Sequence, residues 1–166
     1  MYKTISTMVL ATLPILALAG GSHGDGHTMA PMANSQSSAG TAIAAVGKSG
    51  DASKVIRTVQ ISMDDNMRFT PNQISVKAGE TIRFFIKNGG KVPHEMVIGS
   101  MEELKSHAAM MRKMPGMQHA ESNMITLQPG QRGGIVWQFA EAGNVDFACT
   151  IPGHLEAGMV GKVVVQ

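Results

Sequence analysis

Cys149-Thr150-Ile151-Pro152-Gly153-His154-Leu155-Glu156-Ala157-Gly158-Met159 is the stretch whose reading decides the fold. It holds the single cysteine of the chain, with a histidine five residues on and a methionine five beyond that. Thiolate, imidazole and thioether are soft or borderline donors. With a second imidazole they make a His2Cys set with a weak axial Met, which suits copper in a one-electron site. Extended chain advances about 3.3 Å per residue, so five extended residues would carry His154 about 17 Å from Cys149, too far for one ion. The segment must therefore double back, and Pro152-Gly153 and Gly158 supply the turn signals. Phe147-Ala148 before it and residues 160–165 after it read as strand. The expected picture is a loop at one end of a sheet with ligands pointing inward from both sides.

The fourth ligand has to come from elsewhere, and His94 is the best candidate. It follows Pro93, which holds Val92 extended, and it precedes the apolar run Met96-Val97-Ile98. On these four residues the chain resembles the cupredoxins, the type 1 copper family. The family pattern is a lone His after an early strand, then Cys, His and Met in a loop before the last strand. Here it maps onto His94, Cys149, His154 and Met159. The Cys-x4-His-x4-Met spacing is closest to rusticyanin-like and periplasmic copper-tolerance cupredoxins, and the likeness covers about residues 55–166. Several members carry Asn after the first His ligand, where it ties the two ligand loops together. This chain has Glu95 there, a departure that bears on that cross-loop bond.

The rest of the chain is consistent with an all-β body. Alternation over residues 59–63 and around Ile82, Phe84 and Ile86 gives strands with one buried face. Further strands are expected at 73–76, 122–127, 135–139, 145–149 and 161–166. Met67-Arg68-Phe69-Thr70-Pro71 followed by Ile74 and Val76 resembles a cupredoxin run. Many short strands with regular turn signals predict a two-sheet sandwich or barrel, and the resemblance makes it a cupredoxin-like Greek-key one. Ser100 followed by Glu103 has the form of a capping box, so a helical insertion is expected over residues 101–114, stopped by Pro115-Gly116. Leu104, His107, Met111 and Met114 fall on one face of it. Met101, Met110, Met111, Met114 and Met117, with His107 and His119, make this insertion methionine-rich. Packing onto the barrel is the ordinary role for such a stripe; an accessory Cu(I) site is the sharper one.

At 166 residues one domain is expected. A net charge of +2 with few aromatics argues against nucleic acid. One cysteine excludes an intramolecular disulfide framework and a binuclear copper centre with two bridging thiolates. Residues 1–19 carry Lys3 and a mostly apolar run ending in Ala17-Leu18-Ala19, which reads as a cleaved secretory signal and implies the periplasm. Residues 20–54 are rich in Gly, Ser, Ala and Asn and read as a disordered tail. Within it, His23, His27, Met29 and Met32 could bind copper loosely. The domain is expected over 55–166.

Two functions follow. The resemblance implies a periplasmic one-electron Cu(I)/Cu(II) protein linked to copper tolerance, without enzymatic activity. The alternative is a soluble respiratory electron carrier. Either implies a monomer meeting a redox or copper-handling partner transiently, through an apolar rim of Val92, Pro93, Pro152, Leu155 and Ala157. Multicopper oxidases and nitrite reductases need further copper-binding histidines and more domains, and no His-x-His pair occurs here.

Overall fold

Alternating burial along short strands sets the architecture. In the computed structural model, residues 46–114 and 120–166 are described. The expected leader, most of the tail and residues 115–119 lie outside them. The strands are β1 (Lys48–Ser49), β2 (Arg57–Asp64), β3 (Arg68–Thr70), β4 (Gln73–Val76), β5 (Thr81–Asn88) and β6 (His94–Gly99). A helix, α1 (Met101–Lys113), precedes β7 (Met124–Leu127), β8 (Arg132–Gln138), β9 (Gly143–Ala148) and β10 (Val160–Val165). They form two five-stranded sheets in the orders β1-β8-β5-β2-β3 and β4-β10-β9-β6-β7. Both sheets are mixed, with parallel β2–β5 and β4–β10 pairs among antiparallel ones.

The two inner faces meet in one core. Ile61, Met63, Ile82, Phe84, Ile86, Ile135 and Trp137 come from the first sheet; Met96, Ile98, Val145, Phe147, Val163 and Val165 come from the second. Because side chains alternate faces along a strand, Cys149 shares its inward side with Val145 and Phe147. That pattern drives the ligand-bearing end of β9 into the core.

Strand β6 departs from alternation: all six of its residues are buried. Its inward side chains enter the sandwich core, while Val97 faces a second cluster with Leu104, Met124 and Ala148. Helix α1 covers that outer face. Its start is fixed by the expected capping box, in which the Ser100 hydroxyl accepts from the Glu103 N–H while the Glu103 carboxylate accepts from the Ser100 N–H at 2.8 Å. Such a cap contributes about 1 kcal/mol. The buried stripe differs from the expected one. Leu104 and Ala108 are the buried residues of α1, His107, Met110 and Met111 are half-buried, and Met114 is exposed. The small Ala108 permits close approach to the sheet, so the methionine side chains fall at the border of the contact.

The tail boundary also differs. Val46 is buried in the core, its carbonyl accepts from Trp137 Nε1 at 2.9 Å, and β1 pairs antiparallel with β8. A polar, Gly-containing stretch gives no periodic signal for so short an edge strand; a ring on a distant strand holds it. No helix among the described residues is long and apolar enough to cross a membrane.

Candidate metal centre

Three segments converge at one end of the sandwich. Cys149 directly follows β9, His154 lies in the turn after it, and His94 opens β6. The 149–159 loop folds back as its turn residues predict. His154 N–H donates to the Ile151 carbonyl at 3.0 Å, Ala157 N–H to Gly153 at 3.0 Å, and Gly158 N–H to Leu155 at 2.9 Å. Gly153 and Gly158 both take positive φ, 91° and 84°, where a side chain would be strained. Met159 closes the loop: its N–H donates to the His154 carbonyl at 3.0 Å and its carbonyl accepts from Cys149 N–H at 3.1 Å.

His94, Cys149 and His154 each offer one ligand atom, and these atoms lie within 4.8 Å of one another. Cys149 Sγ is 3.2 Å from His154 Nδ1, and the two imidazole centroids are 5.0 Å apart. Cys149, His94 and Met159 are fully buried, and His154 is half-buried at the rim. The four residues picked from the sequence are thus at one pole of the fold.

Two polar residues that read as mere turns in the sequence hold His94. Asn88 Nδ2 donates to the carbonyls of Val92 at 2.8 Å and Leu127 at 2.9 Å, and Asn88 Oδ1 accepts from Gly90 N–H at 2.8 Å. Asp65 takes the Lys91 N–H at 2.8 Å and lies 3.1 Å from His94 Nε2. With Nε2–H donating to Asp65, Nδ1 keeps its lone pair. His94 Nδ1 is buried with no hydrogen-bond partner. A buried polar atom without a partner is uncommon and points to an absent one. No spacing rule links residue 65 to residue 94, so the sequence offers no signal for this contact.

Glu95 is buried and answers the departure noted above. One carboxylate oxygen accepts from Thr126 Oγ1 at 2.8 Å and the other from Thr150 Oγ1. Its backbone N–H donates to Cys149 Sγ at 3.3 Å. The longer Glu side chain therefore makes the cross-loop tie from the position after His94 to the residue after Cys149.

Burial dominates the electrostatics. It pushes the Cys149 thiol up from its ordinary 9.0 to about 12, against the pull of the Glu95 and Ile151 N–H groups. It also lowers His154, with the neighbouring His94 acting in the same direction, which favours the neutral imidazole. Asp65 is held low, chiefly by the Lys91 N–H. Two imidazoles, a thiol and a thioether, with one nitrogen lone pair aimed at no protein group, fit a copper ion, whose entry would displace the thiol proton.

A stability prediction follows for the metal-free protein. The thiol ionises at an ordinary 9.0 in the unfolded chain and at about 12 in the folded one. The contribution of the neutral buried thiol is complete below pH 9.0 and is lost as pH rises toward 12. The loss is about 1.4 kcal/mol per pH unit in that window. Denaturation of wild type and Cys149→Ala between pH 8 and pH 11 measures it; parallel curves would contradict the assignment.

The comparisons with known proteins agree with this geometry. Residues 56–166 match the family described as copper binding proteins, plastocyanin/azurin family. The copper-resistant cuproprotein CopI of Rubrivivax gelatinosus is 55% identical over 120 residues, covering 72% of this chain and 73% of that protein. The CopI of Vibrio cholerae is 33% identical over 138 residues, covering 82% of each. Among solved structures, auracyanin B aligns with a TM-score of 0.60 at 21% identity, over 72% of this chain and 96% of that one. That last likeness speaks for the fold alone. A matched family model over two thirds of the chain, a sandwich of the same architecture and a converged His-Cys-His cluster have one common explanation: this chain belongs to the plastocyanin/azurin family of copper-binding proteins, the cupredoxins.

Proposed function

We propose that this chain is a periplasmic copper-tolerance protein holding one copper in a type 1 site. His94, Cys149 and His154 are its equatorial ligands and Met159 its weak axial one. The observation that carries this reading is the meeting of His94, Cys149 and His154 within 4.8 Å beside an unmatched His94 Nδ1. Bound copper would supply reversible one-electron Cu(I)/Cu(II) chemistry. The protein's part is to hold the ligands still. Cys149 and Met159 are joined by a backbone hydrogen bond, Glu95 bridges to Thr150, and Asp65 fixes the His94 ring. Such rigidity limits reorganisation between the two oxidation states.

The tolerance role is supported by the likeness to proteins named copper-resistant cuproproteins. The periplasmic location is supported by the leader-like residues 1–19, the proposed cleaved signal. Partners would dock transiently at the half-buried His154; of the expected apolar rim, Val92, Pro93, Pro152 and Ala157 are exposed, while Leu155 is half-buried against the second cluster. The domain assignment, with a signal at 1–19, a tail and a domain to residue 166, is part of the same proposal, its domain start drawn back to Val46. Extra Cu(I) at the methionine-rich segments is the remaining part. Counting Cu(I) bound by a Cys149→Ala variant tests it: no retained copper refutes an accessory site.

Two measurements test the main reading. Optical and EPR spectra of the copper-loaded protein should show one type 1 centre. A deletion strain should be copper-sensitive while respiring normally at low copper. A respiratory defect without copper sensitivity would favour the electron-carrier alternative.

A further inference from the structure

One carboxylate, that of Asp65, contacts the ligand cluster, and a second, that of Glu95, is bound to the threonine directly after Cys149; among the described residues no cation pairs with the inner one. Asp65 lies on the His94 side, its Oδ1 3.1 Å from Nε2. Glu95 lies between the loops, 2% exposed, with both oxygens taken by threonine hydroxyls. The ion pairs made by Lys or Arg among the described residues are Arg57–Glu80 and Arg112–Glu156, so no Lys or Arg pairs with either group. A buried carboxylate without a cation is costly unless a positive charge arrives with a ligand.

The backbone is shaped to permit the Asp65 contact. A Cβ at Gly90 would lie 2.0 Å from Asp65 Oδ1 and 3.1 Å from His94 Nε2. Gly90 therefore leaves the opening through which the carboxylate reaches the ring. Lys91 and Val92 N–H groups then orient that carboxylate from behind. A carboxylate on the far nitrogen of a metal-binding imidazole fixes its tautomer and raises its basicity.

Resting on the site proposed above, we propose that Asp65 and Glu95 are charge-setting positioning residues that bias the site toward Cu(II) over Cu(I). Carboxylates at these two positions, one buried and one at the rim, would stabilise the more positive ion more strongly by Coulomb's law. Asp65 also holds His94 with Nδ1 free for the metal. The two carboxylates thereby lower the potential of the site relative to the same four donors without them.

The test uses amide replacements of the same shape, Asp65→Asn and Glu95→Gln, in the full-length protein. A redox titration of each copper-loaded variant gives the ratio of Cu(II) to Cu(I) affinity. Each is expected to shift that ratio about tenfold toward Cu(I), a rise of about 59 mV for one electron. The visible thiolate band should persist in the Asp65→Asn variant. In the metal-free protein, ring nitrogen NMR should show His94 protonated at Nε2 in wild type, and Asp65→Ala should lose that preference. Unchanged potentials with an intact visible band would overturn the proposal and leave both residues as structural ties. Should Glu95→Gln fail to fold, Asp65→Asn alone decides, since Asp65 is partly exposed. A wild-type protein lacking the thiolate band would instead overturn the site assignment on which the inference rests.

Discussion

Replacing Cys149 by Ser is expected to abolish the intense visible absorption of the copper-loaded protein and to weaken copper binding roughly 100-fold or more. The colour of such a site comes from charge transfer between thiolate sulfur and copper, and a neutral serine hydroxyl supplies neither the charge nor the polarisability. Losing a partner of a metal ligand costs about 10–100-fold in affinity, so losing the thiolate itself should cost at least the upper end. The fold should survive. Cys149 is fully buried, but the change is close in volume, and the new hydroxyl can take up the Glu95 N–H that now points at the sulfur from 3.3 Å. Copper titration followed by absorption and EPR, with circular dichroism as the control, makes the measurement. A folded variant that keeps the band would remove Cys149 from the site.

Phe147→Ala is expected to destabilise the metal-free protein by about 3–5 kcal/mol. Phe147 is fully buried and meets the edge of Phe69 at 5.0 Å between centroids. On β10, Gly161 makes room for the ring: a Cβ there would sit 2.1 Å from Phe147 Cζ. Two backbones and two sheets are thus fitted around one side chain, so its removal leaves a cavity between them. Against a total stability of about 5–15 kcal/mol, the loss is large. Urea denaturation should show a lower midpoint with an unchanged slope. Phe147 and Cys149, two positions apart, point the same way, and copper should restore part of the stability by binding only the folded form. A loss below about 1 kcal/mol would mean the core closes over the cavity, against the packing described above.

The outline of the sandwich could be read from period-two alternation, because strands with one wet face and one dry face print that pattern on the sequence. β2 and β5 were legible in this way. β6 was less so, since α1 covers its outer side and both faces are buried. β1 was not legible at all: two residues on a sheet edge, held by the indole of Trp137, leave no periodic trace. On α1 the capping box was readable because its partners are three residues apart, whereas the buried stripe was not. Which helix face meets the sheet depends on the shape of the surface it lands on, and that surface comes from β6, β7 and β9.

The donor set was determined by the sequence by itself. One thiol, two imidazoles and a thioether, three of them within an eleven-residue turn-rich segment, restrict the ion that could be held and force the loop to fold back. The tertiary structure alone decided what surrounds those donors. Asp65 reaches His94 across 29 residues, and Glu95 reaches Thr150 across 55. Contacts at such separations depend on strand register and sheet packing, which bring distant backbones together, and local spacing carries no record of them.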